Sequence, residues 1–162
     1  MEPTELLYLI VEASLALAGF AGVVNALSRR AGSSIGPMPR LRLVNLLATS
    51  FAALFLSLLA LGLHAIEIEP STVWRIVSAV GLPPMVYFPI HSARRIVTAF
   101  GPDFARRSKA LYIVNVPVFL VCVLQVWNVV AGGLFWPFFA FVVTLFGVGS
   151  WSFVSLVLYD EE

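Results

Sequence analysis

Few residues in this sequence could carry chemistry. His64 and His91 are its only histidines. They fall near opposite ends of different apolar runs, about a membrane thickness apart, so they cannot share a metal or ligate one haem between them. Cys122 is the single cysteine and lies inside an apolar run, which permits no internal disulfide. Gly32-Ser33-Ser34-Ile35-Gly36 matches G-x-S-x-G, with His91 and Asp103 further along. A nucleophile elbow needs a strand, a turn and a helix, and the chain order Ser, acid, His. Here the order is Ser, His, Asp, and the motif sits between two apolar helices, so it reads as a connecting loop. No H-E-x-x-H, P-loop or C-x-x-C is present. We expect no catalytic residue set, no metal and no cofactor, and hence no enzyme.

The residue most in need of an explanation is Glu12, inside the run Leu6 to Arg30. An acid within a membrane span costs up to about 2.5–3.5 kcal/mol on insertion scales, and its default reading is functional. By the rise of an α-helix, Glu12 and Gln125 fall at similar depth, about 10 Å below one boundary. His64, Arg75 and Asn128 fall nearer that boundary. Two readings follow. Glu12, His64, Arg75, Gln125 and Asn128 form a polar site for a solute or proton. Alternatively, Glu12 pairs with Arg75 or His64 and fixes the order of the helices.

The elements that must hold these residues are set by composition. The chain has 162 residues, 60% hydrophobic and 12% charged, with mean hydropathy +0.95. Soluble domains are nearer 45–50% apolar and 25% charged. The excess, gathered in runs of about 20 residues, belongs to a membrane protein. A net charge of +1 gives no case for nucleic acid as partner. Ala16-Leu17-Ala18 resembles a signal-peptidase site, but the preceding Met1-Glu2-Pro3-Thr4-Glu5 is acidic and Glu12 interrupts the apolar core. The segment is therefore expected to remain as a first transmembrane helix.

The expected fold is all-α, one integral-membrane bundle over 1–162, with five transmembrane helices at about 5–28, 41–66, 72–91, 110–131 and 134–158. Gly32, Gly36, Pro37 and Pro39 break the first link, and Gly132-Gly133 makes the last turn. Asp103 is expected to cap the fourth helix, and Pro83-Pro84 to bend the third. Nine of the ten basic residues lie on one side: Arg29, Arg30, Arg40, Arg42, Arg94, Arg95, Arg106, Arg107 and Lys109. Glu2, Glu5, Glu67 and Glu69 lie on the other, with Arg75. The positive-inside rule then gives N-terminus out and C-terminus in, in a cell membrane, with a bacterial inner membrane expected. Trp74, Tyr87, Tyr112, Trp127, Trp136 and Tyr159 read as an aromatic belt.

Helix faces carry the rest. From Glu12 through Ala26 there are eight Ala, Ser or Gly residues. One face holds Ser14, Ala18, Ala21, Gly22 and Asn25; another holds Glu12, Ala16, Gly19 and Val23. Small residues let helices approach, so helix one is expected at the centre, packed on both sides. Inward stripes are expected at Asn45, Thr49, Ala53, Ser57, Ala60 and His64 on helix two. On helix four they are Asn115, Val118, Cys122 and Gln125, and on helix five Ala140, Thr144, Gly147, Trp151 and Ser155. Asn25, Asn45 and Asn115 lie one to two turns inside the basic end and are expected to form an amide cluster that glues helices together. Arg94, Arg95, Arg106, Arg107 and Lys109 either set topology or also bind anionic lipid, at about 1 kcal/mol per basic residue.

A five-helix bundle is thin for enclosing an aqueous path alone. The pattern therefore points to a homo-oligomer passing an ion, proton or small solute, with the polar site around Glu12. The second reading is a non-catalytic accessory or scaffold subunit whose polar residues are structural.

Overall fold

The computed structural model describes residues 2–30, 37–101 and 109–158. The Gly32–Gly36 motif, Asp103, Arg106, Arg107 and Tyr159 lie outside them, as does part of each basic link. The described residues are helical and contain no strand. The helices are α1 (Pro3–Arg30), α2 (Pro37–Ala65), α3 (Pro70–Phe100), α4 (Lys109–Trp127) and α5 (Phe135–Leu158). A π-helical turn, Asn128–Gly132, extends α4.

Four stretches are long and apolar enough to cross a membrane: Pro3–Ala26, Pro39–Ala65, Pro70–Thr98 and Phe135–Val157. That is the architecture of a multi-pass membrane protein. A shorter apolar stretch, Val116–Gly132, stands where the remaining span is expected.

Local signals account for the helix ends. Pro3, Pro37 and Pro70 open their helices, where a missing N–H costs nothing. Glu69 caps α3: its carboxylate accepts from the Thr72 backbone N–H at 3.2 Å and from Thr72 Oγ1 at 3.0 Å. Ser71 Oγ donates to the same oxygen. Glu67, in the turn before it, has φ +59, a left-handed backbone rare outside glycine. Helix α3 is longer than expected. It passes Pro83, Pro84 and Pro89 without interruption and ends at Gly101, whose φ is +83. The basic residues Arg94 and Arg95 thus stand on the last turns of a helix rather than in a loop.

The chain divides into two compact units. The first comprises Met1–Leu61 and Leu145–Glu162, the second Gly62–Thr144. In the first, Ala21, Leu43, Leu46 and Leu156 form a buried cluster, with Leu17, Val24, Leu47 and Phe153 packed on it. Phe20 meets Phe153 at 6.0 Å between ring centres. At Gly149, α5 comes so near α2 that a Cβ would stand 2.8 Å from Thr49 Oγ1. Arg42 Nη1 donates to the Ser155 carbonyl at 2.7 Å. That carbonyl is among the last four of α5, which have no partner within the helix.

In the second unit, Trp74 is buried among rings. Phe135 lies 5.1 Å away, edge-on, and Phe138 is stacked at 5.8 Å. Trp74 is only 5% exposed, so it belongs to the core and not to an aromatic belt. Tyr87, Trp127 and Trp136 are exposed. A Cβ on Gly81 would overlap the Phe141 ring.

Two expectations about faces are corrected. Helix α1 is not packed on both sides and does not have the burial of a central helix. Only 22% of its span is buried, against 35–39% for the other three. Ser14 and Ala21 face inward, but Glu12, Ala16, Gly19 and Val23 are all exposed. A Cβ on Gly19 or Gly22 would meet nothing. On α5 the inward face is Phe138, Phe141, Val142, Leu145, Gly149, Ser152, Ser155 and Leu156. Gly147 and Trp151, expected inside, are exposed. Gly149 rather than Gly147 permits the close approach to α2, and that rotates the helix. The α2 and α4 stripes face inward as expected over Thr49, Ala53, Ser57, Ala60 and Gln125, whereas His64 is exposed.

Candidate functional site

Glu12 lies in the first unit; His64, Arg75, Gln125 and Asn128 lie in the second. Glu12 is exposed on α1, and among the described residues nothing bonds to its carboxylate. Its neighbours along the same exposed face are Ala16 and Gly19.

The other four have distinct employments. Asn128 is fully buried. Its Nδ2 donates to Ser78 Oγ at 2.9 Å and to the Leu134 carbonyl at 3.1 Å. Its Oδ1 accepts from the Leu134 N–H at 2.8 Å, and its own carbonyl accepts from the Gly133 N–H at 2.8 Å. One side chain therefore closes the π turn onto the start of α5 and ties it to α3. The turn needs glycine at 133, where φ is +61 and a Cβ would lie 2.9 Å from the Ser71 carbonyl oxygen. Arg75 packs beside that point, its Nε 3.0 Å from the same Cβ position.

Gln125 is also fully buried. Its Nε2 donates to the Pro137 carbonyl at 2.6 Å. Pro137 cannot donate from its own nitrogen, and the amide binds this first part of α5 to α4 from outside the backbone ladder. His64 stacks on Trp74 at 6.5 Å. His91 stacks on Tyr87 at 5.3 Å.

Of the inner amides, Asn25 and Asn45 are half-buried in the first unit. The Asn45 backbone carbonyl accepts from Thr49 Oγ1 at 2.8 Å. The Asn115 side chain lies outside what the structure describes. In the basic group, Arg94 and Arg95 are exposed on α3. Among the described residues, no group of three His, Cys, Asp or Glu is placed to hold a metal.

Outside any membrane span, Glu69 has a carboxyl held below the ordinary carboxylate range, first by the Ser71 hydroxyl and then by that of Thr72. Sequence reasoning missed this cap and the role of Ser78. The cap was legible as an acid three residues before Thr72, with Pro70 at the first helical position. Ser78 had no such signal, because its partner lies 50 residues away. The chain matches no protein-family model, and no match was found among curated proteins or solved structures.

Proposed function

We propose that this chain is a small multi-pass membrane protein that passes an ion, a proton or a small solute as a homo-oligomer. The observation that carries the reading is Glu12: an acid within a span, exposed, with no partner among the described residues. Beside it, Ala16 and Gly19 give another helix room to approach. A second copy meeting this face would cover the carboxyl and line a path with it. In this reading Val116–Gly132 completes a fifth span, the N-terminus is outside and the C-terminus inside a cell membrane. The basic ends of the helices, Arg94 and Arg95 among them, then meet anionic headgroups on the inner face.

Reconstituted proteoliposomes test this. Flux of protons or small ions that depends on the protein is expected, and Glu12→Gln is expected to change its rate or its pH dependence. An unaltered rate and profile would remove Glu12 from the path.

A second reading has a specific observation behind it. Asn128 Nδ2 and Gln125 Nε2 donate to backbone carbonyls and to Ser78, as internal glue would. That suits an accessory or scaffold subunit, which would co-purify with a fixed partner at constant ratio and conduct nothing alone.

A further inference from the structure

Three buried hydroxyls in the first unit have no hydrogen-bond partner: Ser14, Ser50 and Ser57 Oγ. Their side chains are 0%, 1% and 0% exposed. Other hydroxyls on these helices turn to their own backbone. Thr49 Oγ1 donates to the Asn45 carbonyl at 2.8 Å, Thr144 Oγ1 to Ala140 at 2.8 Å, and Ser152 Oγ to Val148 at 2.9 Å. A hydroxyl shut away from both water and protein partners is costly, and buried polar groups in native structures are nearly always bonded.

The three fall on two matching columns. On α1, Leu7, Ser14 and Ala21 recur about every two turns and are all buried. On α2, Leu43, Ser50 and Ser57 do the same. Ala21 shares one apolar cluster with Leu43 and Leu46. That cluster joins the later part of α1 to the early part of α2, so the two helices run antiparallel. Two turns away from it, α1 reaches Ser14 and α2 reaches Ser50, with Ser57 two turns further. The residues between are small: Ala53 and Ala60 are fully buried. Helix α5 contributes Gly149, where a Cβ would stand 3.6 Å from Ser50 Oγ. Ser14 and Ser50 thus fall at one level among small side chains, with Ser57 about 10 Å further along α2.

The chemistry selects the ligand. Each hydroxyl offers one donor and two acceptor sites. A hard cation would need about six oxygens, and an anion would need a positive charge or several convergent N–H groups. A neutral molecule that both donates and accepts, and makes about three hydrogen bonds, fits. We propose that Ser14, Ser50 and Ser57 hold ordered water inside the first unit, as a hydrated hydroxyl site within an otherwise apolar stretch of the bundle.

Single and paired alanine substitutions test this through unfolding equilibria in detergent. Deleting an unbonded hydroxyl from a dry site is neutral or stabilising. Deleting one from a hydrated site strands the water and the hydroxyls that share it. Ser14→Ala and Ser50→Ala are each expected to raise the unfolding constant about five-fold. The double variant should raise it by clearly less than the product, because both act through shared water. Ser152→Ala, whose hydroxyl is bonded within its own helix, should leave the constant within about two-fold. Hydroxyl-radical footprinting of the unsubstituted protein gives a measurement free of folding effects. Buried Leu46 and Leu56 should be labelled, and less so in the double variant. Neutral or stabilising substitutions, additive losses, or unlabelled Leu46 and Leu56 would each overturn the proposal.

Discussion

Asn128 Nδ2 donates to Ser78 Oγ at 2.9 Å, with both side chains fully buried. The bond joins the turn after α4 to the third turn of α3. The same amide holds both the N–H and the carbonyl of Leu134. Asn128→Ala would leave those groups without their partner. We expect a loss of about 2 kcal/mol in the stability of the second unit, read from equilibrium unfolding in mixed micelles. Ser78→Ala removes one bond and leaves the other two, so its cost should be nearer 0.6 kcal/mol. Equal costs for the two would mean that the Leu134 bonds contribute nothing.

Gly81 gives way to the Phe141 ring, and any Cβ there would overlap it. Gly81→Ala should destabilise by about 1–3 kcal/mol through overpacking. Phe141→Leu in the same chain should restore part of that loss, because the smaller side chain frees the space. The check is a double-mutant cycle on thermal unfolding, where a coupling of zero would refute the contact.

Glu69 contributes a pH-dependent part to α3. Its carboxyl is held below the ordinary range by Ser71 and Thr72, so the folded chain holds the proton less tightly than the unfolded chain does. The stabilisation is therefore complete above about pH 4.3, the ordinary glutamate value, and is lost as pH falls through the lower folded value. Glu69→Gln should lower the melting temperature at pH 7, with the gap from the unsubstituted protein closing on acidification toward pH 3. A gap constant across that range would show that the charge is not what caps the helix.

Much of the architecture was legible beforehand. The expected turn at Gly132-Gly133 is present, and the helices at Pro3, Pro37 and Pro70 open within a few residues of their expected starts. The C-terminal limit of α3 was not legible. The polar stretch from Ser92 to Lys109 read as a link and set the expected end near 91, yet the helix continues past three prolines to Phe100. Prolines are tolerated in such helices because neighbours satisfy the freed carbonyls. The polar residues divided in the same way. Their depths could be counted from the 1.5 Å rise, but their partners could not. Gln125 bonds a carbonyl at Pro137, and Asn128 a hydroxyl at Ser78, and neither pairing leaves a periodic trace.

By itself, the sequence determined the helices, their apolar lengths and the separation of acidic from basic ends. These depend on local propensity, hydropathy and charge, all of which are read residue by residue. The tertiary structure decided which face of each helix turns inward. In lipid an outward-facing leucine is as comfortable as a buried one, so hydropathy cannot rank the faces. Helix α1 has two small faces that are equivalent on paper. Packing chose Ser14 and Ala21 for the interior and left Glu12, Ala16 and Gly19 exposed. Helix α5 turned Gly149 rather than Gly147 toward α2, because close approach needs one glycine at the point of contact and only the fold says where that point is.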